Sequence, residues 1–183
     1  MDGTSSNADP DFNIYSLSAA NSQYIDPDKV QRFSSSFRWI TTDERLAPSK
    51  MTTFGGLYSV RGYKEDEIVA DEGTLMSFQY EFDLVQYSKP GDSSDNESSE
   101  VQSNGLELNK LAPLAFFDFG RAKIEDPVAG EKKTQELCSI GMGLLFDVGD
   151  DFSAGIYYGW PLRSTLRTDE GSGRFGFSFI KRF

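Results

Sequence analysis

From Thr74 the chain alternates with a period of two. Even positions carry Thr74, Met76, Phe78, Tyr80, Phe82 and Leu84, and odd positions carry Leu75, Ser77, Gln79, Glu81 and Asp83. An extended strand sends successive side chains to opposite faces, so this segment has one greasy face and one polar face. The same grammar returns at 138–148, with Cys138, Ile140, Met142, Leu144, Phe146 and Val148 on one side. It returns again at 152–160, after a Gly149-Asp150 turn signal, and at 175–183, where Phe175, Phe177, Phe179, Lys181 and Phe183 share a face. Further strands are predicted at 111–120, at 31–41 and, with a less regular pattern, at 11–20. No segment carries a helical repeat. The expectation is an all-β antiparallel chain of about seven strands without helix.

Composition removes most chemistry. The 183 residues contain no histidine and a single cysteine, Cys138, which excludes an internal disulfide, a Cys/His zinc cage and the Ser-His-Asp or Cys-His nucleophile systems. A net charge of −11 argues against a nucleic-acid binder, which needs a basic face. The letters of a dinucleotide fingerprint occur at Gly171-Ser-Gly-Arg-Phe-Gly176, but no helix is predicted to follow them, so they carry no nucleotide site. The acidic stretch 92–100 lacks the spacing of a calcium loop and reads as a solvated part of a long, mobile connection, 87–109. A second long connection, 43–71, is rich in glycine and charge. No catalytic residue, metal site or cofactor is expected.

Alternation alone also fits a soluble sandwich, which turns its apolar face to a core. Two features favour a membrane barrel. The apolar faces are heavy in Phe, Tyr and Trp while the opposite faces are small and polar, as a lipid-facing band around a wet lumen requires. The strands also run to about ten residues, enough to cross a bilayer at a tilt. Phe78, Phe82, Ile140, Leu144 and Phe177 are then expected to face lipid, and Ser77, Gln79, Glu81 and Ser139 to face water.

Within 43–71 stands Gly55-Gly56-Leu57-Tyr58-Ser59-Val60-Arg61-Gly62-Tyr63, followed by Asp71-Glu72-Gly73 and a long strand. Downstream lies Phe116-Phe117-Asp118-Phe119-Gly120, and the chain closes on an alternating aromatic strand. These three motifs, in this order over roughly 31–183, resemble the two-partner secretion transporters of the haemolysin activation/secretion family (ShlB, FhaC, HecB), relatives of the barrel assembly protein BamA. The resemblance implies a 16-stranded transmembrane barrel in the bacterial outer membrane, preceded by POTRA domains. Residues 1–183 would be its C-terminal part, about seven strands without POTRA domains. It implies export of an unfolded haemolysin or adhesin without nucleotide hydrolysis. Its partners would be the secreted passenger, outer-membrane lipid and the barrel assembly machinery, with no nucleic acid. An assembly factor of the BamA type is the alternative, and a soluble β-sandwich binding module is the remaining rival.

The resemblance also implies that the loop bearing Val60, Arg61, Gly62 and Tyr63 folds back into the barrel. There its arginine meets acidic side chains of the inner wall. Strand parity points Asp118 and Glu81 inward, which makes them the expected partners of Arg61. Phe116 and Gly120 belong to the second motif, and Phe179 with Phe183 to a C-terminal assembly signal.

Overall fold

A computed structural model describes residues 12–88, 108–149 and 151–182. Phe183 and the greater part of the acidic connection, 89–107, lie outside these residues. The described chain is antiparallel β-structure with a single turn of helix. The strands are β1 (Ile14–Tyr24), β2 (Gln31–Thr42), β3 (Thr52–Phe54), β4 (Ile68–Ala70), β5 (Glu72–Phe82), β6 (Leu108–Lys123), β7 (Thr134–Val148), β8 (Phe152–Pro161) and β9 (Arg174–Lys181), with α1 at Leu84–Ser88. Seven of them form one sheet in the order β1-β2-β5-β6-β7-β8-β9, every pair antiparallel. Among the described residues β1 and β9 each have one neighbour, so the sheet is open.

Register makes the two faces explicit. The row Ser36–Ser77–Asp118–Ser139 crosses four strands on one face, and the row Ser35–Phe78–Phe117–Ile140–Trp160 crosses the other. Phe33, Phe78 and Phe117 stack in succession along the second face, with neighbouring centroids 6.4 Å apart. Phe78, Phe117, Ile140, Met142, Ile156, Phe175, Phe177 and Phe179 are all exposed there. A sandwich would cover that face with a second sheet. Among the described residues the other sheet is the short β3–β4 hairpin, and it belongs to the polar side, so no second sheet covers the aromatic face there.

The core sits in an unusual place for a sheet protein. Phe54, Val60, Tyr63, Ile68 and Ala70, all from 43–71, pack with Ala122, Ile124 and Leu137 near one end of β6 and β7, and Leu75 packs against them. Residues 43–71 are thus a hairpin folded onto the polar face of the main sheet and not an open connection. Its own strands, β3 and β4, pair Thr52 with Ala70 and Phe54 with Ile68.

Several sequence boundaries shift. Strand β6 begins at Leu108 and runs to Lys123, beyond the predicted 111–120, and β7 starts at Thr134 instead of 138. β1 occupies Ile14–Tyr24 in place of 11–20. Leu84 leaves the strand to start α1, because the Asp83 carboxylate accepts the Val85 and Gln86 N–H groups and caps a helical turn.

Candidate functional site

The hairpin between β3 and β4 begins with a tight turn. Gly55 N–H donates to Ser59 Oγ (2.8 Å), and Gly56 N–H donates to Val60 O (3.2 Å). Gly56 holds φ at +102°, and a Cβ there would collide with the Glu65 carboxylate, which accepts Leu57 N–H at 2.9 Å. Leu57 and Tyr58 form the tip, with Tyr58 90% exposed. The return arm carries Val60, Arg61, Gly62 and Tyr63 across β6, β7 and β8.

Arg61 is held by the wall. Its Nε donates to Asp118 Oδ2 and its Nη2 to Asp118 Oδ1, each at 2.8 Å, and its backbone N–H adds a third bond to Oδ2 at 3.0 Å. This is the planar two-point pairing that suits guanidinium to carboxylate. Asp118 is fully buried and Arg61 is 11% exposed. Nη1 donates to Gln79 Oε1 (2.6 Å), Nη2 to Ser77 Oγ (3.2 Å), and Ser77 Oγ donates in turn to Asp118 Oδ1 (2.6 Å). The guanidinium carbon lies 3.7 Å from the ring centroid of Phe116, with Tyr157 on a longer contact of 5.4 Å. Phe116, noted in the sequence as a motif letter, is therefore the aromatic platform under the arginine.

Glu81 is not a direct partner of Arg61. Its carboxylate accepts bonds from Arg32 (2.6, 2.8 and 3.0 Å) and from Lys110 (3.0 Å). Gln79 Nε2 donates to it at 2.8 Å, so the arginine and Glu81 are joined through Gln79. Arg32, in register with Glu81, and Lys110, reaching it from further along β6, satisfy that carboxylate, and the loop arginine goes one step along the wall to the acid that has no other cation. Ser139 also departs from expectation. It is fully buried, its hydroxyl without a partner among the described residues, where strand parity predicts open water.

Glycines on this face clear the path of the hairpin. A Cβ at Gly120 would lie 2.9 Å from Val60 Cγ2, and one at Gly141 would lie 2.2 Å from the Phe116 ring. Gly62, at φ +94°, runs against Gly159, where an added Cβ would lie 2.7 Å from Gly62 N. Tyr63 follows, its hydroxyl accepting Cys138 N–H (3.2 Å) and lying within donating reach of Cys138 O (3.0 Å) and Arg163 O (2.9 Å). Burial pushes the Tyr63 hydroxyl up, so it remains a neutral donor.

The root of the hairpin is tied separately. Asp71, fully buried, accepts Leu46 N–H and Glu125 N–H, each at 2.8 Å. Arg45 bridges to Glu131 (2.8 and 3.0 Å) and to Asp126 O (2.8 Å). Glu67 accepts hydroxyls from Thr165 and, at 2.7 Å, from Thr168, while Arg167 donates to Asp66 O at 2.7 Å. Nothing in the sequence around Glu67 marks this role, because its threonines stand about a hundred residues downstream.

Burial pushes the Glu67 carboxyl up, but the bonds from Thr165, Thr168 and Lys64 N–H, with the charge of Arg167, outweigh it and leave the carboxyl below its ordinary pKa. A depressed folded value means that this latch contributes fully above the unfolded value of about 4.3 and is lost as pH falls through the lower folded one. Acid titration should therefore expose Ser139→Cys, read by thiol labelling in a Cys138→Ser background. Glu67→Gln should already label faster at pH 7 and lose much of the acid step. An unchanged acid step in Glu67→Gln would assign it to another group.

The match to known families falls on this hairpin and its wall. The family model for haemolysin secretion/activation protein ShlB/FhaC/HecB matches residues 1–146, which include the Arg61 hairpin, Asp118 and most of β7. No curated protein and no solved structure matches the chain. With about four-fifths of its length covered by that model, the chain belongs to the ShlB/FhaC/HecB haemolysin secretion/activation family of two-partner secretion transporters.

Proposed function

We propose that this sheet is part of the wall of an outer-membrane pore through which an unfolded haemolysin- or adhesin-type passenger is exported. In this reading the Arg61 hairpin is the element that occupies the lumen. The observation that carries it is a buried guanidinium–carboxylate pair that fastens a loop to the polar face of a sheet whose other face is exposed and aromatic. A lumen occupied by a loop needs such a polar anchor, and lipid needs such an apolar face. The family match supports the transporter over the related assembly factor. Open edges at β1 and β9 would be closed by further strands, since lipid leaves no backbone group unpaired. Phe179, on the aromatic face of β9, and Phe183 are proposed as the signal read by the assembly machinery.

Three measurements test this. The intact transporter should fractionate with outer membranes and require detergent for extraction; recovery as a detergent-free monomer would reject the reading. Phe78→Arg should cost about 2–4 kcal/mol of stability in lipid, because it places a cation in hydrocarbon. Gln79→Arg would be mild in an open lumen, but Gln79 bridges Arg61 and Glu81, so the new cation is expected to disturb the hairpin as well. Arg61→Ala should impair release of the passenger into the medium with the transporter still present in the membrane. Secretion at the wild-type rate would remove the hairpin from the mechanism.

A further inference from the structure

The docked hairpin divides the polar face unevenly. Towards β8 and β9 it lies flush: Gly62 backbone meets Gly159, and a Cβ at Gly176 would lie 2.9 Å from Leu57 Cδ1. The gap left on that side, beside Arg174 and Tyr157, is about 80 Å³. Towards β1, β2 and β5 a cleft of about 520 Å³ stays open, lined by Ser18, Ala20, Ser36 and Ser77 with Arg38 and Tyr58. Ser18, Ala20 and Ser22 of β1 lie in register with Arg38, Ser36 and Ser34 of β2, so small side chains line both strands except at Arg38. Ser22 and Ser34 bond through their hydroxyls at 2.9 Å.

This wall suits one kind of occupant. An extended chain takes about 3.3 Å per residue along its length, about 4.8 Å laterally and about 10 Å between packed layers, so the cleft has room for about three residues. Short hydroxyls bond to a passing backbone and leave no deep pocket to retain its side chains. Conduction requires that combination: many sites, each weak enough to leave. Arg38 forms no ion pair among the described residues, so its charge is available to carbonyls and carboxylates of the occupant.

We infer that the exported polypeptide travels in extended form along the β1–β2–β5 wall, past Tyr58 at the hairpin tip, while the β8–β9 side stays sealed. The inference rests on the transport reading above. It is tested with the intact transporter in a planar bilayer, in a Cys138→Ser background, with a synthetic unfolded glycine- and serine-rich polypeptide as probe. A bulky maleimide on Ser36→Cys or Ser18→Cys should abolish the current blockades made by the probe. The same reagent on Arg174→Cys should leave them in place. Blockades lost only at 174, or lost equally on both sides, would overturn the path and leave transport intact. A transporter with no conductance under any condition would overturn transport and the path together.

Discussion

Arg61→Ala and Asp118→Ala are each expected to release the hairpin tip, at a cost of about 3–5 kcal/mol to docking. Asp118 has no exposed surface, and three of the four donors it accepts belong to Arg61: the backbone N–H, Nε and Nη2. Without the guanidinium, a buried carboxylate keeps Ser77 and one backbone N–H. Without the carboxylate, a cation sits on Phe116 with only the neutral acceptors Gln79 and Ser77. The double variant should cost far less than the sum of the singles, since both delete one interaction. Thiol labelling of Ser139→Cys reports the outcome, because the docked hairpin buries that position. Additive effects would mean that the two side chains act separately.

Gly159→Val should produce comparable undocking without touching any charge. A Cβ at 159 would lie 2.7 Å from Gly62 N and 2.8 Å from Gly62 Cα, both main-chain atoms that cannot swing aside as a side-chain end can. Overpacking of this kind typically costs about 1–3 kcal/mol for small additions, and the two branches of valine add to it. Gly62→Ala is a second route to the same state, since it combines a collision with Gly159 and a φ of +94° that L residues rarely adopt. Fast labelling at 139 in Gly159→Val, with Arg61 and Asp118 intact, is the expected result. Slow labelling would show that the wall yields where close packing says it cannot.

The sequence carried the strands well because a period of two needs no knowledge of register. Phe78, Phe117 and Ile140 fall on one face in any antiparallel pairing that keeps their parity. It carried the ends of β6 and β7 poorly, since Arg121-Ala122-Lys123 and Thr134–Leu137 continue the strands after the apolar alternation has stopped. The β3–β4 pairing left no trace at all: three-residue strands form because the hairpin packs on Ala122, Ile124 and Leu137, a tertiary effect. At the site, motif and parity brought Arg61 and Asp118 to the same face. The choice between Asp118 and Glu81 depended on Arg32 standing opposite Glu81 and Lys110 reaching it from further along β6, which only the folded sheet supplies. Glu67 stayed invisible for the same reason.

The bonds of Glu67 to Thr165 and Thr168, and of Tyr63 to Arg163 O, span 98, 101 and 100 positions of sequence. Contacts at such separations form late, because the intervening chain must first be ordered. Phe54, Val60 and Ile68 find their apolar partners Ala122, Ile124 and Leu137 once β6 and β7 are in place, whereas Glu67 and Tyr63 must wait for the chain beyond β8. Complete seating of the hairpin therefore needs β8 and the connection after it, which carry Gly159, Arg163, Thr165 and Thr168, as well as β6 and β7.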